Sequence, residues 1–413
     1  MLAWASGLSV MWWVLALASI ARDVASGKGF LLRELFPPFG DLTAYVSRFR
    51  VYHMAMFYSA RGHLPRGARK AEAFAYPPAA APVYAAFYGF NQPVVVYCLL
   101  AAAWTVVGCA GAYLLLRRCG VTPARARWAM LCLVTLAYPA AFLAQRANIE
   151  LIVWMLVVTG TLLWLRGQDA AAAVFFGLAA SLKLYPILLL GVFVGRPKGL
   201  RAMAWGVVAA AGATVAALWY SGPTLVQACT GFVNGVLRFK DTQGEETHKT
   251  AALFDHSLFA PAKLPAFGHE IAPAHWTAIY YVTAGTLAAA VFLLRVRKLP
   301  WLNRFAFLSA AMILLPPLSY EYTVVHMYMP LVLLLGVMLA DDARVGLVRG
   351  AALFCLAAVM WPLSLVGDGY FAYAGVVQMV LLAGVAALAA ASAWTLEGRG
   401  AFGAGAKAWA RAS

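Results

Sequence analysis

Charge is what this 413-residue sequence has least of. Asp, Glu, Lys and Arg together make up 12% of it, about half the share of an ordinary soluble protein. Acid is the scarcer half, with 16 Asp and Glu against 32 Lys and Arg and a formal net charge of +16. Apolar residues fill 63% of the chain, and its mean hydropathy is +0.77. Such a composition excludes a soluble globular domain. Several apolar runs reach or approach the roughly 20 residues a helix needs to cross a bilayer. Other absences narrow the chemistry. The six cysteines, Cys98, Cys109, Cys119, Cys132, Cys229 and Cys355, form no CxxC pair, so they read as buried apolar residues and not as a disulfide framework or metal site. There is no P-loop, HExxH, GxSxG or dinucleotide fingerprint, and no cofactor is expected. No simple tandem repeat is visible. The excess of basic residues suits anionic lipid head groups or phosphate-bearing substrates. It does not suit nucleic acid, because the basic residues sit in short pieces between apolar runs and build no single face.

What remains is an all-α, polytopic transmembrane bundle, expected to hold roughly 10–13 membrane helices, short re-entrant ones included. The membrane-embedded unit covers 1–395, and a loose cytoplasmic tail covers 396–413. Residues 3–20 resemble a secretory signal ending at Ala16-Leu17-Ala18, but no Lys or Arg precedes them and many spans follow, so an uncleaved first span is expected. Residues 21–78 form a first outer loop, within which 42–60 carry an apolar stripe at helical spacing that suits a helix lying in the interface plane. Spans follow at 93–116, 128–143 and 149–165, the first two joined by Arg117, Arg118, Arg125 and Arg127. Four basic residues without an acid mark a cytoplasmic turn.

Residues 170–195 allow two readings. One continuous span would put the large loop 221–275 inside; a break at Lys183-Leu184-Tyr185-Pro186 gives two short helices, 170–182 and 186–195, that dip in and return. The break keeps every short basic turn on one side, and broken helices occur where they line a cavity, so this reading is preferred. Spans at 202–220, 276–294, 304–318, 324–340, 347–366 and 372–394 complete the chain, with 221–275 as a large outer loop. The first outer loop breaks the charge rule with nine Lys and Arg against four Asp and Glu. Long loops escape that rule, and a basic outer loop serves anionic ligands.

On this topology most of the unusual polar residues gather near the outer face: Asp41, Arg146, Asn148, Glu150, Lys183, Asp255, His256, Glu321 and His326. Ionisable groups at membrane depth are costly and usually functional. A carboxylate on an outer loop and a buried cation suit transfer of a group from a phosphorylated lipid. A sugar on a lipid phosphate already has a good leaving group, so one carboxylate suffices to deprotonate the acceptor hydroxyl, whereas a glycosidase needs two. Asp41 is the candidate base; its structural alternative is an N-cap for 42–60. Lys183, Arg146, His256 and His326 are candidates to hold the phosphate through charge-assisted hydrogen bonds. Tyr45, Tyr76, Asn148, Glu150, Tyr185, Asp255 and Glu321 are candidates to contact substrate. A flippase of lipid-linked sugars and a non-catalytic membrane subunit are the rival classes.

Four stretches resemble glycosyltransferase family 87 of the GT-C superfamily. They are Asp41 with the Tyr-Pro-Pro at 76–78; Gln145-Arg146-Ala147-Asn148-Ile149-Glu150, similar to the family's Arg-Gly-Asn-Ile-Asp run; Gly177-Leu178-Ala179-Ala180-Ser181-Leu182-Lys183-Leu184-Tyr185-Pro186; and Pro317-Leu318-Ser319-Tyr320-Glu321-Tyr322. The resemblance implies a GT-C-type bundle and inverting transfer of a hexose, mannose by analogy with known members. The donor would be a polyprenyl-phosphate sugar, the acceptor a glycolipid or glycan, and the place the outer face of the cytoplasmic membrane. It assigns Asp41 as the base. A divalent ion is compatible with the superfamily but is not indicated by any ligand spacing here. Two departures bear on sugar and acceptor. Tyr322 and Thr323 stand where many members carry a His pair, with His326 a turn later, and Asp255-His256-Ser257-Leu258 replaces an Asn-Gln-Ser-Leu run.

Overall fold

The computed structural model describes residues 76–136, 138–221, 224–234, 255–263, 274–340, 346–361 and 374–394. The first span, the interfacial helix with Asp41 and Tyr45, and the tail 396–413 lie outside the described residues. Among the described residues there is no strand. The helices are α1 (Ala80–Tyr88), α2 (Pro93–Arg118), α3 (Pro123–Thr135), α4 (Tyr138–Arg146), α5 (Glu150–Leu165), α6 (Asp169–Leu182), α7 (Gly199–Ser221), α8 (Ala274–Leu294), α9 (Trp301–Leu314), α10 (Tyr328–Ala340), α11 (Leu347–Val359) and α12 (Ala374–Ala391). Among the described residues, five segments are long and apolar enough to cross a membrane, and six if α3 and α4, bent by 51°, count as one. α5, α6, α9 and α11 are apolar but shorter. The chain is thus a polytopic helical bundle, as its composition predicts.

The expected break at Lys183 is present. α6 stops at Leu182, Lys183 adopts an extended backbone (φ −146°, ψ 131°), and Pro186 opens a 3₁₀ segment, Tyr185–Phe193. Proline near the start is tolerated because its missing N–H would be unsatisfied there anyway. The second short piece is therefore 3₁₀ rather than α. A second 3₁₀ segment, Glu321–Met327, leads into α10 where the sequence pattern predicts a continuous span from 324. Pro330 accounts for it: without an N–H it cannot bond to the carbonyl four residues back, at His326.

α6 lies between α5 and α7 and packs closely on both. Small residues permit this approach, as in other membrane helix pairs. A Cβ placed on Gly177 of α6 would lie 2.0 Å from the Gly206 carbonyl oxygen of α7, and one placed on Gly160 of α5 would lie 2.7 Å from the Phe176 ring.

The hairpin fixes which ends lie together. Glu150 begins α5 and Lys183 follows α6, so both sit at one end. At the other end Arg196 pairs with Asp169 at 2.7 Å. Arg304 donates to the Val194 carbonyl at 3.4 Å, and Arg295 to those of Ala390 and Ala391 at 3.1 and 3.2 Å. Arg125 donates to the Leu339 carbonyl at 3.3 Å. These arginines complement the negative C-terminal ends of helices. Buried Asn303 joins the same end, donating to the carbonyls of Ala389 and Ser392 and accepting from the Trp394 amide.

The glycine contact gives a direct test. Gly177→Ala has to push α6 off α7, costing about 1–3 kcal/mol as overpacking does. A lowered apparent Tm in detergent is expected. Gly212→Ala, where the added Cβ meets nothing within 4 Å, should leave Tm unchanged. Equal melting of the two variants would remove the close contact from the account of packing.

Candidate functional site

The site is built on the turn between α4 and α5. Asn148, fully buried, anchors it three ways. Its side-chain oxygen accepts the Glu150 amide at 2.9 Å, its amide donates to the Tyr76 hydroxyl at 2.8 Å, and its carbonyl accepts from Tyr97 at 2.9 Å. The first bond is an Asx turn that satisfies an amide the helix start leaves open. One residue earlier Ala147 has φ 50°, the left-handed region that disfavours a Cβ. The similar family run carries glycine there.

Glu150, at the start of α5 and fully buried, is the hub. One carboxylate oxygen accepts the Lys183 ammonium at 2.6 Å and also the Tyr185 hydroxyl; the other meets His326 Nε2 at 2.5 Å. The helix N-terminus favours a negative charge at this place. Four elements converge: α5, the break after α6, the Tyr185–Phe193 segment and the Glu321–Met327 segment.

Aromatic rings close around the ammonium. Lys183 Nζ lies 4.7 Å from the Tyr322 ring centroid, 5.3 Å from that of Tyr76 and 6.0 Å from that of Tyr185. Cation–π attraction strengthens as water is excluded, and Lys183 is 8% exposed. The Tyr322 ring in turn stacks on Phe142 of α4, 13° from parallel. Glu321 is buried beside this wall and accepts the Tyr138 hydroxyl at 2.5 Å. Arg146 ends α4, partly buried, one residue before the Ala147–Asn148 turn.

Asp255 and His256 lie in a separate docked segment. The Asp255 carboxylate accepts the amides of Ser257 and Ser319 at 2.9 and 3.0 Å. The His256 amide donates to the Ser319 carbonyl at 2.8 Å, and the Leu258 amide to that of Leu314 at 2.9 Å. These bonds fasten 255–259 to the strip that joins α9 to Glu321. His256 is fully buried, and neither ring nitrogen meets a well-aligned hydrogen-bond partner among the described residues. Burial pushes its pKa down from 6.5 to about 4, against the pull of the Asp255 carboxylate and the Gly375 backbone.

An open apolar groove of about 650 Å³ runs between α1, α5, α6 and α7, lined by Val83, Phe87, Ile152, Leu156, Leu182 and Ala217. One of its lining residues, Leu182, directly precedes Lys183. Of the residues singled out from the sequence, Tyr76, Asn148, Glu150, Lys183, Tyr185 and His326 are brought into one cluster. Glu321 borders it through the neighbouring Tyr322. Asp255 and His256 bond to the strip that leads to Glu321, and Asp41 and Tyr45 lie outside the described residues. Sequence reasoning missed Tyr97 and Tyr138, whose hydroxyls fix the turn and Glu321. Nothing in their local pattern marks them apart from lipid-facing tyrosines. No group of three or more His, Cys, Asp or Glu with metal-binding geometry occurs among the described residues.

Two stability predictions follow from this geometry. Ala147→Gly should raise stability by about 1 kcal/mol by relieving the left-handed backbone, read as an increase in Tm; a decrease would count against strain there. His256 gives a pH dependence of definite sign. Its folded pKa of about 4 lies below the ordinary 6.5. Full stability is therefore present above pH 6.5 and falls as the pH drops toward 4, by up to about 3 kcal/mol. His256→Leu should flatten that part of the melting profile, and an unchanged slope would exclude His256 as its source.

The chain matches the family described as glycosyltransferase family 87 over residues 74–318, a stretch that includes Tyr76, the α4–α5 turn, the Lys183 break and the docked 255–259 segment. No curated protein and no solved structure matches it. The match extends over more than half of the sequence and through most of the buried cluster, and the chain therefore belongs to glycosyltransferase family 87.

Proposed function

We propose that this membrane glycosyltransferase takes a hexose, with mannose the first candidate, from a polyprenyl-phosphate sugar. The acceptor is a hydroxyl of a glycolipid or glycan at the outer face of the cytoplasmic membrane. The observation that carries the reading is the aromatic-walled Lys183–Glu150–His326 cluster, joined in sequence through Leu182 to an apolar groove. A donor of this class has the matching form: a long apolar tail, an anionic phosphate and a sugar beyond it. The groove suits the tail, Lys183 and Arg146 suit the phosphate, and the tyrosine faces suit the sugar ring. The arginine-rich end of the bundle supports the orientation, since basic turns favour the cytoplasm.

In this reading Asp41 removes the proton from the acceptor hydroxyl. The freed oxygen attacks the anomeric carbon from the face opposite the phosphate, and the anomeric configuration inverts. The bond between that carbon and the phosphate oxygen breaks, and the phosphate keeps the electron pair. Lys183 and Arg146 stabilise the charge that builds on it, while His326 stays on the Glu150 carboxylate.

The test is transfer from polyprenyl-phosphate mannose and polyprenyl-phosphate glucose, with the purified full chain in lipid nanodiscs and membrane extract as acceptor. Asp41→Asn should lower turnover by about 10²–10⁴-fold, the usual worth of a general base, with unchanged elution and Tm. Lys183→Met should weaken donor use. Normal turnover by Asp41→Asn would remove it from the mechanism. Translocation of the lipid-linked sugar without a new glycosidic bond would assign the chain to transport instead.

A further inference from the structure

The cluster presents a problem that the proposed reaction does not resolve by itself. Lys183, which follows the groove-lining Leu182, is a buried cation, yet its ammonium is already held at 2.6 Å by a fully buried carboxylate. A phosphate arriving beside it has to share or take that ammonium. On the product side the difficulty reverses. A polyprenyl phosphate that has lost its sugar is a monoester with up to two negative charges, whereas the donor diester carries one. An unopposed buried lysine would hold the product more tightly than the donor and would stall turnover.

We infer that Glu150 is a positioning residue that acts as an exchangeable counter-ion for Lys183. The ammonium is handed from Glu150 to the phosphate when lipid binds, and is reclaimed by Glu150 as the product leaves. This rests on the proposed donor class and deepens it. Four features of the geometry support the exchange. Glu150 has other donors to fall back on, the Tyr185 hydroxyl on the same oxygen and His326 on the other. Its carboxylate therefore stays solvated by the protein when Lys183 moves away, as a buried charge must. The turn that carries Glu150 is fixed by Asn148, so the carboxylate is a stationary point against which the flexible lysine moves. Lys183 itself keeps 9% of its side chain accessible while Glu150 keeps none, so the exchange takes place on the lysine side. The rings of Tyr76 and Tyr322 line the cation's surroundings and offer it a path that stays attractive throughout.

The inference predicts opposite signs for two substitutions around one oxygen. Glu150→Gln removes the competing charge and keeps the shape. A short-chain polyprenyl phosphate should then bind about tenfold more tightly, the scale on which a close buried charge changes affinity. kcat and donor KM should fall together as product release slows. Tyr185→Phe leaves the charge but removes a hydrogen bond that occupies it, so Glu150 should hold Lys183 harder and the same lipid phosphate should bind more weakly. Binding is measured by calorimetry on the full chain in detergent, with the matching polyprenol alcohol as the control for the tail.

Weaker or unchanged binding by Glu150→Gln, with raised KM and lowered Tm, would make Glu150 a purely structural anchor and overturn the inference. If Glu150→Gln does not survive purification, Tyr185→Phe decides: binding as tight as the wild type or tighter overturns it. The proposed donor class fails in a different way. In that case the wild type shows no preference for the lipid phosphate over the alcohol, and Lys183→Met changes nothing.

Discussion

A lysine and a glutamate drawn together away from water are the constraint on which the rest of this structure depends. Burying either charge alone would be prohibitive, and breaking such a pair by removing one member costs about 3–5 kcal/mol. The pair therefore dictates where chain segments far apart in sequence must meet. It requires α5 to begin where α6 ends, and it requires the Glu321–Met327 segment to bring His326 to the second carboxylate oxygen. It also explains the surrounding tyrosines. They supply hydroxyls and π-faces that stabilise charge without adding another ion.

The close packing of α5, α6 and α7 serves the same end. Gly177 and Gly206 let two backbones approach until no Cβ fits between them, and the hairpin held there places Lys183 opposite Glu150. The far end of the bundle is stabilised differently, by arginines donating to helix C-terminal carbonyls. That end is basic, and its arginines bond to backbone carbonyls 95 to 214 positions away. The other end is built on one buried carboxylate shared among side chains. The docked 255–259 segment borders that second network, with the Asp255 carboxylate accepting the backbone amides of Ser257 and Ser319.

Much of this was legible in the sequence. The apolar runs gave the helices, and the Lys183-Leu184-Tyr185-Pro186 stretch gave the break, because a lysine between leucines followed by proline suits neither a continuous span nor a surface turn. The residues of the cluster were also visible one by one, as polar groups in an apolar chain. Their partnerships were not. Glu150 and Lys183 are 33 positions apart and Glu150 and His326 are 176 apart, and no periodicity encodes such a meeting. The 3₁₀ character of 185–193 and 321–327 escaped the pattern too, since apolar runs of that length read as α-helix until the prolines are placed in three dimensions.

The brevity of the central hairpin has its own consequence. With 16 and 14 residues, α5 and α6 reach about 24 and 21 Å at 1.5 Å per residue, short of the roughly 30 Å of a hydrocarbon slab. A hydrated dimple in the bilayer above Lys183 would make up the difference, as thinning does around short helices. A polar substrate group could then approach the lysine without first crossing the full depth of the hydrocarbon layer.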